Sequence, residues 1–199
     1  MTRSIAPIVE GQSEVESVPI LLRRILHESL NIPNVQVAHP FRVKRNRVVR
    51  VGELERAIEM TLKTRAGVEA VLVVLDADDD CPARLGPALK ERAERASAKP
   101  AAVVFAKHEL EAWFLGAKES LRGVRGIAPD ATPPPQPENI RGAKEWLSRN
   151  MRNGRYLEVD DQPAFAERMN FEAATRACPS FARLVRVVEE LCRQMPTNT

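Results

Sequence analysis

The sequence has no apolar run near the roughly 20 residues that a membrane-spanning helix requires. Its longest apolar stretches, residues 71–75 and 101–106, are far shorter. At the amino end, Glu10 lies where a signal peptide would still need apolar residues and a cleavage site. We therefore expect a protein that makes no membrane contact and stays in the cytoplasm.

Cysteine and net charge are scarce as well. The 199 residues include three cysteines, widely spaced, with no CxxC pair and no histidine nearby at ligand spacing. Such a set is not typical of a disulfide framework or a zinc site, so we expect three reduced thiols. The net charge of +3 is too small to indicate an anionic partner by itself.

One segment is strongly basic although the whole chain is not. Residues 42–50 contain five basic side chains and no acidic one: Arg42, Lys44, Arg45, Arg47 and Arg50. Such a patch suits the phosphate backbone of a nucleic acid. A solvated loop or hairpin would show the same pattern, so both interpretations stay open.

Apolar segments alternate with amphipathic ones over the first half of the chain. Buried strands are predicted at residues 4–9, 35–39, 68–75 and 101–106, and helices at 13–30, 52–64 and 84–98. Ser13 and Glu16 have the spacing of a capping box at the start of the first helix. The alternation predicts an α/β fold, a Rossmann-like parallel sheet flanked by helices.

The second half of the chain differs in composition. Five prolines occur within residues 129–137, which indicates a loop or linker, and amphipathic helices are predicted at 139–150 and 180–194. We expect a metal-binding α/β domain at 1–118, a Pro-rich linker at 119–138, and a small C-terminal helical cap at 139–199 packed on the sheet.

Acidic residues follow three of the predicted strands. Glu10 follows the first, Asp76 and Asp78 follow the third, and Glu109 and Glu111 follow the fourth. In parallel sheets these strand ends share one edge. Residues two apart in extended backbone face the same side, so Asp76 and Asp78 are expected to face one ion together with Glu10. Carboxylates favour Mg²⁺ or Mn²⁺.

A metal at this edge suits phosphodiester chemistry, because it stabilises developing negative charge and lowers the pKa of a bound water. Lys107 would add positive charge at the scissile phosphate. Glu10 or Glu14 would accept a proton or serve as a further ligand. Residues two apart on a helix do not share a face, so only one of Glu109 and Glu111 is expected to reach the site, and we favour Glu111.

Two motifs carry a family resemblance: Val9-Glu10-Gly11-Gln12-Ser13-Glu14 and, further on, Leu75-Asp76-Ala77-Asp78. In this order they resemble the Toprim domain of topoisomerases, primases and OLD-family nucleases over about the first 115 residues. With Glu109 to Phe114 and Cys178 to Phe181, the whole chain also resembles a prokaryotic Toprim-like family of unknown function. Members of that family are often encoded beside an AAA or ABC-type ATPase in apparent defence loci.

The resemblance implies that Glu10, Asp76 and Asp78 are metal ligands, that Glu14 is the second acidic position of OLD-type nucleases, and that Lys107 lies where such nucleases place a lysine. The sole tyrosine, Tyr156, is not in a topoisomerase-like setting, and there is no zinc ribbon or ATPase motif. A metal-dependent nuclease remains, with DNA or RNA as substrate and an ATPase as partner.

Three functions stay open at the level of sequence. The first is a Mg²⁺- or Mn²⁺-dependent nuclease that acts in antiviral defence. The second is a non-catalytic Toprim-fold subunit that docks on an ATPase through exposed C-terminal helices, Trp146 among them. The third is a phosphatase or phosphotransferase on small nucleotides, since the same carboxylates suit any phosphoryl group. The sequence leaves open whether the chain forms a homodimer.

Overall fold

A computed structural model describes residues 3–196. Its sheet has five parallel strands: β1 (Arg3–Val9), β2 (Val35–Val37), β3 (Phe41–Arg42), β4 (Val68–Asp76) and β5 (Ala101–Ala106). The order is β2-β1-β4-β5, and β3 also pairs with β1. The predicted α/β fold with a parallel sheet is confirmed. The two-residue β3 lay in the basic segment and was not foreseen.

Nine α-helices accompany the sheet within the described residues: α1 (Gln12–Arg24), α2 (Arg45–Val48), α3 (Glu53–Thr64), α4 (Pro82–Ala96), α5 (Glu111–Gly116), α6 (Ala143–Asn150), α7 (Glu158–Arg168), α8 (Phe171–Ala177) and α9 (Pro179–Gln194). A π-helical segment, Ile25–Ser29, extends α1. Helices α7 and α8 were not predicted, because Pro163 interrupts the apolar pattern of α7 and α8 has only seven residues.

The predicted capping box at the start of α1 is wrong. The N-cap is Gly11, which is extended (φ −96°, ψ 166°) and makes no side-chain cap bond. Ser13 is buried inside the helix and Glu16 is exposed. Because α1 begins just after the turn that follows β1, Glu14 falls in the first helical turn, close to the end of that strand.

The sheet separates two apolar cores. On one face, α3 and α4 pack against side chains such as Val73 and Phe105. The other face is covered by α1 and by helices from the second half of the chain, in a single cluster that extends from Ile5 to Met195. Burial of the apolar side chains in these two cores is the main source of stability on both faces of the sheet.

The second half of the chain is closely packed. Residues 119–138 contribute Leu121, Ile127 and Ala131 to the larger core. Trp146 is only 9% exposed and belongs to the same core. The expectation that Trp146 forms an exposed docking surface is therefore wrong, because the indole packs inside the protein.

The state of the cysteines and the length of the apolar helices are both described for residues 3–196. The three cysteines are free, Cys81 exposed and Cys178 and Cys192 buried. No helix in this part of the chain is both long and apolar enough to cross a membrane.

The strand order reverses between β1 and β4. From β1 the chain runs first to β2 and β3 on one side, and then to β4 on the other side of β1. In open parallel sheets, the carboxyl ends of strands at such a reversal form a crevice that binds ligands. Glu10 and Asp76 lie at this point.

Candidate functional site

A pocket of about 330 Å³ opens at the reversal point. We call it the acidic pocket, and it is lined by Glu10, Gly11, Glu14, Arg42, Lys44, Arg45, Asp76, Asp78, Lys144 and Glu158. It combines the ends of β1 and β4 with the first turn of α1 and with residues from the second half of the chain. All four predicted acidic residues of the first two motifs line it.

Glu10 and Asp76 are linked directly across the neighbouring strands. The backbone N–H of Asp76 donates to Glu10 Oε1 at 2.6 Å. Asp76 Oδ1 in turn accepts from the backbone N–H of Leu110 at 2.8 Å. These bonds fix both carboxylates at the carboxyl edge of the sheet, as the sequence predicted.

Both carboxyl groups are held in surroundings that disfavour ionisation. Burial is the largest cause that raises the pKa of Glu10 to about 7, although the Asp76 N–H and Arg45 oppose it. Burial also raises the pKa of Asp76 well above its usual value, and the negative charge of Glu111 is the next cause. Perturbed acids that share a cleft are typical of functional sites.

Glu14 lies beside these groups with an unsatisfied oxygen. The residue is 6% exposed, and its Oε2 is buried without a hydrogen-bond partner in the described chain. A Cβ on Gly11 would overlap with this carboxylate. Glycine at position 11 is therefore what leaves room for the Glu14 side chain in the pocket. A buried orphan carboxylate oxygen normally costs free energy, and a bound cation would relieve that cost.

Glu111 is fully buried behind the pocket rather than in its lining. Tyr156 Oη and Gln162 Nε2 each donate to its Oε1 at 3.1 Å, while Oε2 has no partner. Ser17 Oγ donates to Gln162 Oε1 at 2.6 Å and so connects this network to α1. Burial raises the pKa of Glu111 to about 7, which Lys144 opposes.

Lys144 is the one lysine from the second half of the chain that reaches the pocket. Its Nζ lies 3.2 Å from Glu158 Oε1. Burial lowers the pKa of Lys144, but the carboxylates of Glu111, Glu158 and Asp76 together raise it above its usual value. The ammonium group of Lys144 is therefore firmly protonated, and it lines the pocket together with Arg42, Lys44 and Arg45.

Asp78 does not face the pocket in the way the sequence predicted. Its backbone is left-handed (φ 48°), so the extended geometry that would align it with Asp76 ends one residue earlier. The backbone N–H of Asp78 donates to His108 O, and its side chain is 63% exposed at the pocket rim. Asp76 is therefore held inside the protein by its bond from Leu110, whereas Asp78 lies on the rim of the pocket.

The structure brings Lys107 to another surface. Its Nζ donates to Asn139 Oδ1, and the residue lines a separate cavity beside β5. Glu109 Oε2 accepts from the backbone N–H of Ala143 at 2.7 Å, at the start of α6. Neither Glu109 nor Glu111 lines the acidic pocket, although Glu111 lies close enough to Asp76 to raise its pKa. Lys107 does not meet the predicted metal ligands.

The five basic residues of 42–50 differ in their surroundings. Arg42 donates to Glu10 O at 3.2 Å, and Arg45 donates to Asp76 O at 3.0 Å and Asp80 Oδ2 at 2.6 Å. A neighbouring groove is lined by Arg42, Lys44 and Arg47, whereas Arg50 is exposed and lines neither cavity.

That groove, which we call the basic groove, has a volume of about 610 Å³. Its charged lining residues are Arg42, Lys44, Arg47, Arg56 and Glu53. It shares Arg42 and Lys44 with the acidic pocket, so the two sites are contiguous. Arg56 was not foreseen, because on the sequence it is one charge on an ordinary amphipathic helix.

The donor set suits a hard divalent cation, although it does not enclose one. Within residues 3–196, no three His, Cys, Asp or Glu side chains are grouped closely enough to form a metal cluster. Mg²⁺ is usually bound through one or two carboxylates, waters and substrate phosphates rather than by an all-protein cage. Glu10 and Asp76 fit that open mode, and the orphan oxygen of Glu14 lies in the same pocket.

Sequence reasoning missed the contributions of the second half of the chain. Lys144, Tyr156, Glu158 and Gln162 are separated from the motifs by long stretches of sequence. Lys144 looks like any surface lysine of an amphipathic helix. Only the packing of α6 and α7 against α1 and α5 reveals that these side chains surround Glu111.

Comparison with known proteins finds a match to a family model. A family model described as a domain of unknown function, DUF4276, matches residues 9–189. Neither the curated proteins nor the solved structures contain a match to the chain. The matched range begins at the last residue of β1 and includes β2 to β5, the residues that line the acidic pocket and most of α9. It covers more than half of the chain, which therefore belongs to the DUF4276 domain family.

Proposed function

We propose that this protein is a Mg²⁺- or Mn²⁺-dependent nuclease of the Toprim type that cleaves phosphodiester bonds. The observation that carries the proposal is the acidic pocket, in which the carboxyl groups of Glu10, Glu14 and Asp76 line one cavity at the strand reversal and Glu14 Oε2 has no hydrogen-bond partner in the described chain. Buried carboxylates that repel each other are expensive unless a cation binds them. Catalytic metal sites are a common reason to retain such a cluster.

Each residue has a defined role in this proposal. Glu10 and Asp76 hold the cation, which when bound supplies Lewis acidity and a more acidic water. Asp78 on the rim contributes through water or after a rotation of its side chain. Glu14, with its free Oε2, accepts the proton of the attacking water. Lys144 provides positive charge for a phosphate oxygen.

Glu111 acts through other residues rather than on the substrate. It is fully buried, and its negative charge faces Asp76 and Lys144. Its bonds from Tyr156 and Gln162 hold it in place. We assign it a positioning role that keeps Lys144 protonated and directed at the acidic pocket. Lys107 has no role at the reacting phosphate in this assignment.

The basic groove supports a polymeric substrate. Arg42, Lys44, Arg47 and Arg56 line it, and it runs directly into the acidic pocket. A nucleic-acid strand carries regularly spaced phosphates that such a row of cations neutralises. A small nucleotide would need no groove beyond the pocket, so this arrangement favours a nuclease over a phosphatase.

Two further parts of the proposal have narrower support. Action in antiviral defence with a partner AAA or ABC-type ATPase is supported by the resemblance of the whole chain to the prokaryotic Toprim-like family. A cytoplasmic location is supported by the three free cysteines, since proteins of oxidising compartments commonly form disulfides.

The proposal is tested by cleavage of labelled plasmid, single-stranded DNA and total tRNA with Mg²⁺, Mn²⁺ or EDTA, with and without any neighbouring ATPase. Metal-dependent cutting is expected, with a loss of at least about 10³-fold in Asp76→Asn and Glu10→Gln, as is typical when transition-state stabilisation is removed. Glu55→Gln, which removes a carboxylate far from the pocket, is the matched control.

Undiminished cleavage by both pocket variants would exclude this site from the mechanism. Release of inorganic phosphate from nucleotides, without fragments, would instead establish the phosphatase.

A second candidate function is a non-catalytic binding subunit. It is favoured by the exposed position of Asp78 on the rim of the acidic pocket and by the lack of a grouping of three His, Cys, Asp or Glu side chains for a metal among residues 3–196. Co-purification with an ATPase, without hydrolysis under any metal, would support this candidate.

A further inference from the structure

Strand β5 is an edge strand with one unpaired side. It is last in the order β2-β1-β4-β5, and its six residues pair only with β4 among the described strands. Pro100 O and Ala106 O accept bonds from β4, so the even-numbered residues face that strand. The N–H and C=O groups of Ala101, Val103 and Phe105 therefore point away from the sheet.

These outward groups lie along a groove of about 620 Å³ between α4 and α9, which we call the edge groove. Its apolar lining includes Pro82, Pro87, Val103, Phe105 and Pro179. An unpaired strand edge with an apolar floor is a template for an added strand, and proteins normally cover or charge such edges. Extended peptides use this mode of recognition widely.

The charges around the edge groove have one dominant sign. Lys90, Lys107, Arg183 and Arg186 line it. Arg183 and Arg186 are exposed, and no ion pair joins either to another residue of the described range 3–196. The one acidic lining residue, Glu138, is 4% exposed, and its carboxylate accepts from Ser180.

The charge distribution discriminates between occupants. A second copy of this chain would bring its own four cations against these, which is unfavourable. A nucleic acid would pair with the cations, but it would leave the outward N–H and C=O groups of β5 without partners. Its phosphates would also make no favourable contact with the apolar lining of the groove. An acidic peptide satisfies all three features.

We propose that the edge groove binds an extended acidic segment of a partner protein, which adds a strand to β5. Outward main-chain groups of Val103 and Phe105 pair with the segment, and its acidic side chains contact Arg183 and Arg186. This inference does not depend on the proposed nuclease activity, because the edge groove and the acidic pocket share no lining residue.

The test is fluorescence anisotropy of the full chain with a labelled peptide of about ten residues that alternates valine and glutamate, long enough to cover β5. Two comparison peptides are used. One is the same sequence with N-methyl groups on alternate residues, which cannot form the ladder, and the other replaces glutamate by lysine. Saturable binding of the first peptide alone is expected.

Protein variants locate the site. The double variant Arg183→Glu/Arg186→Glu should weaken binding about tenfold or more. Arg176→Glu/Arg193→Glu changes the net charge equally on exposed residues outside the groove and should leave it within about twofold, as for rim charges that touch no ligand. Val103→Pro removes an outward donor without loss of a β4 bond and should also weaken binding.

Three results would overturn the proposal. Equal binding of the N-methylated peptide would show that no strand is added. Displacement of the peptide by single-stranded oligonucleotide with the same sensitivity to Arg183 and Arg186, but without N-methyl sensitivity, would assign the groove to nucleic acid. A dimer in sedimentation that Val103→Pro dissociates would assign the edge to a second copy. If Val103→Pro is unfolded by circular dichroism, the N-methylated peptide alone decides.

Discussion

Carboxyl groups in two regions of this protein have pKa values that are shifted in opposite directions. On the face of the sheet covered by α3 and α4, Arg92 Nε and Nη2 donate to Glu55 Oε1 and Oε2 at 2.7 and 2.8 Å. Arg92 also donates to Val49 O and Arg50 O, so it joins α4, α3 and the end of the basic segment. We call this arrangement the Arg92 clamp. The hydrogen bonds from Arg92 lower the pKa of Glu55 to about 2.

In the acidic pocket, none of the carboxyl groups of Glu10, Glu14 and Asp76 forms such a two-bond ion pair with another described residue. Burial raises the pKa values of Glu10 and Glu111 to about 7, and Lys144, which lines the pocket together with Lys44, is shared among several carboxyl groups. The ion pair of the Arg92 clamp joins α3 and α4, whereas burial and mutual repulsion destabilise the ionised carboxylates of the acidic pocket. A cost that the chain itself does not relieve indicates that the missing charge comes from a ligand.

The largest expected difference between the two regions is a decrease in the free energy of unfolding with rising pH, which arises from the acidic pocket and its surroundings. Without metal, the folded protein keeps protons on Glu10 and Glu111 between pH 4.5 and about 7, whereas the unfolded chain releases them. The free energy of unfolding therefore falls as the pH rises through this window. For Glu10 the shift corresponds to a change on the order of 3 kcal/mol.

Urea unfolding at pH 5 and pH 8, with EDTA or with Mn²⁺, measures this effect. Mn²⁺ should restore much of the stability at pH 8, because it binds the ionised form. The dependence on pH should become shallower in Glu10→Gln. An equally steep dependence in that variant would show that Glu10 is not the titrating group.

A smaller effect of opposite sign is expected at the Arg92 clamp. Glu55→Gln should lower the free energy of unfolding by about 1 kcal/mol at pH 7, the upper range for a partly exposed ion pair. The folded-state pKa of Glu55 is lowered, so its contribution is present above the unfolded pKa and is lost as the pH falls towards about 2.

Comparison of Glu55→Gln with the unmodified protein at pH 7 and pH 3 tests this. The difference should shrink at pH 3 and should not respond to Mn²⁺ at either pH. A difference that depended on Mn²⁺ would mean that the clamp and the acidic pocket are coupled.

The smallest change in stability is expected for Gly11→Ala. The backbone of Gly11 suits alanine, so the free energy of unfolding should change by no more than about 0.5 kcal/mol. The added Cβ displaces the Glu14 carboxylate, and Mn²⁺ affinity should fall several-fold. Gly86→Ala, where a Cβ makes only an ordinary contact with Phe105, is the control. Unchanged affinity in Gly11→Ala would remove Glu14 from the site.

The sequence was sufficient for four of the five strands and for the acidic residues of the pocket that follow β1 and β4. Buried strands such as β4 and β5 were predictable because nearly every residue in them is apolar. Glu10 and Asp76 were then placed together by the rule that carboxyl ends of parallel strands share an edge. Local pattern and topology are enough for such residues.

The remaining features depend on tertiary structure. The left-handed backbone at Asp78 and the path of Lys107 towards Asn139 arise where the chain leaves the sheet, and alternation gives no information there. Lys144 and Gln162 reach the site through helix packing over long sequence distances. The orphan oxygens of Glu14 and Glu111 become apparent only when each polar atom can be matched to its neighbours.

The central claim is that the acidic pocket binds a divalent cation, and Mn²⁺ titration followed by electron paramagnetic resonance tests it most directly. Unmodified protein and Glu55→Gln should each bind Mn²⁺ saturably with the same affinity, and Asp76→Asn should lose that binding. Equal binding by Asp76→Asn, or no saturable binding by the unmodified protein, would contradict the claim.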